Sequence, residues 1–184
     1  MGPLAEDYCA IVLRELLIAL EYSHSKHILH GKVSAGKLLL NLNGEVKLSN
    51  FTSAEQCVTP RKLHNYSDVH WLAPEVVVES DCDTKVDIWA VGITAIQIAE
   101  GEPPYADIHP MRVRFIITQR DPPTLEGDFS PLFKEFVALC LRKNVGERPT
   151  AKTLLLHPFI KNAKDTSLLI PLMAQAAAAR NVLD

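Results

Sequence analysis

Apolar residues recur at helical spacing from about Ala5 to Ser25: Ile11, Leu16 and Leu20 mark one face, and Leu13 and Leu17 widen it. They wrap most of the way round, which predicts a deeply buried helix. Two short apolar runs follow, Leu38-Leu39-Leu40 and Val46-Lys47-Leu48. Between them lies Asn41-Leu42-Asn43-Gly44, whose Asn and Gly suit a turn, so the stretch predicts a β-hairpin. No period holds from Asn50 to His70, which predicts a long loop, and loops of that length are commonly functional. The chain then turns helical again. Thr84-x-x-Asp87 has the form of a capping box and opens an apolar helix that ends near Glu100, where Gly101 and Pro103-Pro104 stop it. A shorter helix follows Pro110. Ser130-Pro131 supplies an N-cap and a first-turn proline, and the pairs Leu132/Phe133, Phe136/Val137 and Cys140/Leu141 then mark a buried face. Thr150 is placed to cap a helix through Leu156, and the run Ala176-Ala177-Ala178-Ala179 is helix-prone. The pattern predicts a mainly α protein, one small hairpin among six or seven helices, without internal repeats.

Composition narrows what such a protein can do. The 184 residues suit one domain with a real core, and 47% apolar against 22% charged residues is ordinary for a globular chain. A net charge of −3, with no Lys/Arg run, leaves no electrostatic footprint for nucleic acid. The longest apolar stretch, Val86 to Ala99, is short and is interrupted by Asp87, Thr94 and Gln97, which argues against a membrane span. Cys9, Cys57, Cys82 and Cys140 are widely spaced and read as free thiols in a reducing compartment. The first residues lack a signal-peptide pattern. Met1-Gly2 begins like a myristoylation signal, but Pro3 and Glu6 do not fit one. The expectation is a cytoplasmic protein.

The elements carry motifs in a telling order. A long helix leads to His30 in a loop, then to the hairpin and Asn50-Phe51. A long loop follows, then Ala73-Pro74-Glu75, then Asp87-Ile88-Trp89 opening the apolar helix, and finally Arg148-Pro149-Thr150. This series resembles the large, C-terminal lobe of eukaryotic protein kinases, whose markers include a catalytic loop, an Asp-Phe-Gly triplet and Ala-Pro-Glu. Gly92-Ile93-Thr94-Ala95-Ile96, Gly101-Glu102-Pro103-Pro104, His109-Pro110-Met111-Arg112-Val113 and Pro122-Pro123-Thr124-Leu125-Glu126-Gly127 are similar to the sterile-20-like kinases of the germinal-centre branch. The resemblance implies a kinase-like lobe over residues 1–160, a helical tail over 161–184 and no N-terminal β lobe: there is no Gly-x-Gly-x-x-Gly run and no strand like Val-Ala-Ile-Lys.

In that family a catalytic-loop carboxylate accepts the substrate proton, an Asn five residues on holds Mg²⁺, and the Asp of Asp-Phe-Gly holds it too. On these motifs His30 matches the loop's His. Gly31 and Lys32 stand where the resemblance implies Arg and the catalytic Asp, Ser34 where it implies Lys, and Lys37 where it implies the metal-binding Asn. The triplet reads Asn50-Phe51-Thr52. An ammonium at a metal-ligand position faces a dication: at about 4 Å and an effective dielectric near 20 the repulsion is roughly 8 kcal/mol. The activation-loop phosphorylation site falls on His64 and the substrate-orienting Thr on Asp68, with Tyr66 and Ser67 as weak alternative acceptors.

Architectural residues of the family are present. The resemblance implies that Asp87 holds the catalytic-loop backbone, that His30 and Phe51 stack in a buried column, and that Glu75 and Arg148 form a buried ion pair. The spacing of His24, His27 and His30 invites a metal reading, but no partner cluster accompanies it. The resulting expectation is a catalytically inactive pseudokinase lobe, without ATP or Mg²⁺. It would act by binding an active related kinase or a scaffold protein, or by self-association through the apolar face around the first helix and Leu38 to Leu40. Two rivals remain. One is a serine/threonine kinase whose N-lobe is supplied elsewhere, for which Glu45, Asp68 and Asp81 are poorly placed as substitutes. The other is a truncated product without function.

Overall fold

The computed structural model describes residues 2–51, 55–56 and 66–180. Among these are eight α-helices and two two-stranded antiparallel ribbons. Helix α1 (Glu6–Ser25) has Glu6 and Asp7 in its first turn, where carboxylates complement the helix dipole. Cys9, Ile11, Leu13, Leu16, Leu17 and Leu20 are all buried along it. Glu6 also reaches out of the helix: its carboxylate accepts from the Ser130 hydroxyl and, at 2.8 Å, from the Ser130 N–H.

After α1 come β1 (Ile28–Leu29), a single 3₁₀ turn (Ala35–Lys37), β2 (Leu38–Leu40) and β3 (Val46–Leu48). Strands β2 and β3 pair with Leu38 opposite Leu48, Leu39 opposite Lys47 and Leu40 opposite Val46, the hairpin that the alternating runs predict. The Asn41 side-chain oxygen accepts from the Asn43 and Glu45 N–H groups, each at 3.0 Å, and so shapes its turn. The second ribbon is a correction to the single hairpin read from sequence: β1 pairs with β4 (Glu55–Gln56), Ile28 opposite Gln56 and Leu29 opposite Glu55. Strands of two residues carry no period, so nothing in the hydrophobic pattern marks them. The span from Asn50 to His70 is accordingly not one featureless loop, since β4 and part of a 3₁₀ segment (Tyr66–Trp71) fall within it.

The remaining helices are α2 (Pro74–Val77), α3 (Lys85–Glu100), α4 (Pro110–Gln119), α5 (Pro131–Cys140), α6 (Ala151–Leu154), α7 (Pro158–Lys161) and α8 (Leu169–Arg180). Helix α3 is buried on nearly every side and packs against both α1 and α5. Gly92 is what permits the approach to α5: a Cβ there would lie 2.7 Å from the Leu141 side chain and 2.9 Å from that of Cys140. Phe133, Phe136 and Phe159 fill the space between α5 and α7, with Phe133 and Phe159 stacked at 4.3 Å. The tail returns over α1. The Arg14 guanidinium donates to the carbonyls of Ala163 and Lys164 at 3.0 and 2.9 Å, and Leu169 is fully buried.

Two helix starts differ from the sequence expectation. Thr84 makes no side-chain cap; the Asp83 carboxylate caps α3 instead by accepting from the Lys85 N–H at 2.7 Å. Thr84 fails because its own backbone is helical, at φ −60 and ψ −15, where a cap is normally extended, and Asp87 is engaged elsewhere. The helix expected from Thr150 to Leu156 ends at Leu154, because Pro158 opens a separate helix capped by His157. Thr150 and Ser130 do cap α6 and α5, accepting from the N–H groups of Thr153 and Phe133.

Candidate functional site

Asp87 lies in the first turn of α3 and is fully buried. Its Oδ2 accepts from the His30 N–H at 2.9 Å, its Oδ1 from the Gly31 N–H at 2.8 Å, and the His24 ring donates through Nε2 to Oδ2 at 2.9 Å. One carboxylate on the central helix therefore suspends the loop that follows β1. Gly31 adopts φ 76, a left-handed conformation that costs glycine little and most side chains more. Further along the same loop the Ala35 N–H donates to the Gln97 side chain on α3 at 3.2 Å. The far end is fixed by Ser49, whose N–H and hydroxyl donate to the Lys37 carbonyl at 2.8 and 2.9 Å.

His30 is fully buried and its ring bridges the two sides of this arrangement. Nε2 donates to the Ser49 carbonyl at 2.9 Å, while Nδ1 accepts from the Lys32 N–H at 3.3 Å. A carbonyl only accepts, so this pair of bonds fixes the tautomer with its proton on Nε2. Phe51 meets His30 edge-on, with ring centroids 4.8 Å apart and planes at 89°. The expected stack is thus a T-shaped contact, and Phe51 remains 41% exposed, so the column is open at that end.

The second buried polar centre joins α2 to the segment before α6. Arg148 contacts both Glu75 oxygens, at 2.6 and 3.1 Å. Glu75 is not its only partner: the guanidinium also donates to the carbonyls of Arg142 at 2.9 Å and Lys85 at 2.8 Å, and lies 5.2 Å from the centre of the Trp89 ring. With Arg148 1% and Glu75 8% exposed, the pair is shielded from water and satisfied on most of its donors.

Lys32 and Lys37 sit in the suspended loop, both half-buried, and neither side chain makes an ion pair or hydrogen bond with a described residue. Asn50, beyond β3, is held at φ 70. Mg²⁺ requires hard oxygen donors in near-octahedral array. Two ammoniums and one neutral amide do not form such a set. Among the described residues no group of three or more His, Cys, Asp or Glu is arranged to hold a metal. His24 and His30 are committed to Asp87 and to the Ser49 carbonyl, so the three-histidine spacing does not converge on a common point. Cys9 and Cys140 are buried thiols; burial, with a smaller effect of Glu6, pushes Cys9 up to about 12, and burial likewise pushes Cys140 up, so neither is a nucleophile at neutral pH. Cys57, Thr52 and His64 lie outside the described residues, as do the side chains of Tyr66, Ser67 and Asp68.

Three contributors escaped the sequence reading: His24, Gln97 and Ser49. Gln97 did leave a trace. With Asp87 it breaks the apolar run from Val86 to Ala99, and a polar residue inside a buried helix needs a partner. Both partners turn out to be backbone N–H groups of one loop.

A helical lobe whose central helix suspends a His-bearing loop through a buried Asp, and whose Ala-Pro-Glu is tied by Glu75 to a distant Arg, defines the large lobe of a protein kinase. The protein kinase domain model matches residues 1–160, and the chain belongs to that family. Its relatives include the serine/threonine-protein kinase sid1 of Schizosaccharomyces pombe, 43% identical over 178 residues, which cover 95% of this chain and 38% of that protein. Another is the serine/threonine-protein kinase cst-1 of Caenorhabditis elegans, 43% identical over 185 residues, 98% of this chain and 37% of that protein. The chain thus spans under two fifths of the length of either relative. No helix among the described residues is long and apolar enough to cross a membrane.

Proposed function

We propose that this chain is a pseudokinase lobe: a kinase large lobe that does not transfer phosphate and acts in the cytoplasm as a binding module in kinase signalling. The observation that carries the reading is the state of the loop at residues 30–37. Its backbone is held in place by Asp87 and Gln97, yet its side chains at the positions of proton acceptor and metal ligand are Lys32 and Lys37. A cation cannot accept the substrate proton, and a protonated ammonium cannot ligate Mg²⁺. A loop held in place with cations at both positions supports loss of the chemistry while the scaffold is kept.

The binding role is supported by the surface around α1 and the hairpin. Ile18, Tyr22, Leu39 and Leu42 are 48%, 67%, 57% and 62% exposed, and large exposed side chains of this kind favour association with a protein. The partner class consistent with the family is an active related kinase or a scaffold protein, or a second copy of this chain. A phosphate-transfer assay with Mg-ATP and a generic serine/threonine substrate tests the catalytic part. The expected result is no transfer from the native chain, because Lys32 cannot take the substrate proton and Lys37 cannot ligate Mg²⁺; the variant Lys32→Asp, Lys37→Asn, Asn50→Asp is assayed beside it. Turnover by the native chain would overturn the reading. Turnover by the triple variant alone would show that the three side chains are the whole of the deficit.

A further inference from the structure

Residues 163–170 run from α1 to the turn of the β2–β3 hairpin, and they touch both. At the α1 end the Arg14 guanidinium donates to the Ala163 and Lys164 carbonyls at 3.0 and 2.9 Å, and the Lys164 ammonium meets Asp7 at 2.6 Å. The Asp165 carboxylate then turns the chain by accepting from the Ser167 N–H at 2.9 Å. Leu169 follows and is fully buried, with Leu168 and Leu172 packed on the edge of the core. At the hairpin end a Cβ on Gly44 would collide with the Thr166 carbonyl oxygen and lie 3.3 Å from the Ile170 side chain. With φ at 78, that turn position needs glycine twice over, for its own conformation and for the approach of the tail.

The hairpin in turn bears on the suspended loop. Strand β3 packs on α1, with Val46 buried. Ser49, just beyond β3, donates twice to the Lys37 carbonyl, and its own carbonyl accepts from His30 Nε2. The tail, the Gly44 turn, the hairpin and the loop at residues 30–37 therefore form one series of contacts. Its first member is lightly held. Lys164 and Asp7 are 59% and 58% exposed, so their pair adds little. Asp165, Ser167 and Ile170 are exposed, and Leu169 is the one fully buried side chain among residues 163–170.

We infer that residues 163–170 are a strap that couples the tail to the loop. Seated, the strap fixes the hairpin turn and, through Ser49, the backbone of residues 30–37. Released, it frees both while α3 and α5 stay folded. A segment held by few buried side chains opens as a cooperative unit below the free energy of global unfolding. Coupling between the two ends of such a unit is reciprocal, so a change at the hairpin turn is felt in the tail as well. Lifting the tail from its exposed side thus loosens the loop some 130 residues before it in sequence. The inference goes beyond the binding role and holds whether or not the lobe transfers phosphate.

The experiment is native-state amide exchange of the whole chain, followed by NMR. The amides to watch are Gly31, Lys37, Asn41 and Ser49, each bonded within the loop or hairpin. Leu169→Ala should speed their exchange about thirtyfold, the scale set by truncating a buried leucine. Phe136→Leu, in the core between α5 and α7, should speed exchange in α3 and α5 yet leave those four amides within about twofold, because the strap opens with Phe136 still in place. From the other end, Gly44→Ala should speed exchange at Leu168 and Leu169, and it keeps the test open should Leu169→Ala not fold. The inference is overturned if folded Leu169→Ala leaves the four amides exchanging as in the native chain. It is overturned equally if Phe136→Leu speeds them as much as it speeds α5, since the hairpin then opens only with the whole lobe. Unchanged exchange at Leu168 and Leu169 in Gly44→Ala would also sink it.

Discussion

Arg148 is a buried cationic residue and Lys37 a half-buried one, and they stand in opposite situations. Arg148 is 1% exposed, yet it contacts both oxygens of Glu75, two backbone carbonyls and an indole face. Lys37 is only half-buried and its ammonium has no partner among the described residues. The difference separates two kinds of constraint in one lobe. The Arg148 centre ties α2 to the segment before α6 and is closed, so stability depends on it. The Lys37 region rests on a scaffold that Asp87, Gln97 and Ser49 hold through backbone groups, so the side chain at 37 can carry a charge without disturbing the fold.

The comparison breaks first at Arg148. Arg148→Ala leaves the Glu75 carboxylate buried without its partner, a loss of about 3–5 kcal/mol. Out of a total stability on the order of 5–15 kcal/mol, that brings the protein near unfolding. The double change Glu75→Gln with Arg148→Met should be milder than Arg148→Ala, because no net charge remains buried. Arg142→Ala is the control: its side chain is 46% exposed, it meets Glu147 only at 3.7 Å, and the carbonyl that serves Arg148 is retained. Its effect should be roughly 0.5 kcal/mol or less. Urea melts of the four proteins rank these effects, and equal small losses for Arg148→Ala and Arg142→Ala would contradict the account.

Asp87→Asn should come next, at about 1–3 kcal/mol, because the amide turns one of two acceptors into a donor facing a backbone N–H. The loss should be local as well as global. Amide exchange at His30 and Gly31 should accelerate more than exchange in α5, and uniform acceleration would show that Asp87 does not hold the loop.

The smallest effect belongs to His157. Its Nδ1 accepts from the Phe159 N–H at 3.2 Å to cap α7, its Nε2 is buried, and the nearest carboxylate, on Glu135, is 3.8 Å away, beyond hydrogen-bond reach. Burial holds its imidazole below the ordinary range near 6.5, only partly opposed by Glu135. The unfolded chain therefore binds this proton more readily than the folded one. The stability contribution is full above pH 6.5 or so and is lost as pH falls below it. His157→Asn keeps a cap and removes the titration, so its melts between pH 7 and pH 5 should lose less stability than those of the native chain. An unchanged slope would remove His157 from the account.

Much of this lobe is legible in the sequence because its chemistry sits on regular elements. Long apolar periods mark α1 and α3, a turn-forming Asn-Gly segment marks the hairpin, and Ser130 and Thr150 announce helix starts through a single local bond each. The misses have physical causes. Ribbon β1–β4 is too short to carry a period. Thr84 fails as a cap because its backbone is already helical, and Asp87 serves a loop 57 residues away in sequence, which no local rule can register. The helix expected through Leu156 stops at Leu154 because Pro158, not singled out as a first-turn residue, opens a separate helix. In the site, the lysines at 32 and 37 are read directly from the sequence, whereas the support from His24, Gln97 and Ser49 depends on contacts between residues 19 to 63 positions apart.

The central claim is that a loop built to hold Mg²⁺ and nucleotide now presents cations in their place. Thermal melts of the whole chain in millimolar Mg-ATP, against Mg²⁺ alone, test it most directly, because a ligand that binds the native state raises its apparent stability. The account predicts no difference between the two. An upward shift of more than about 2 °C with Mg-ATP, well beyond that with Mg²⁺, would correspond to appreciable occupancy of the native state and would contradict it.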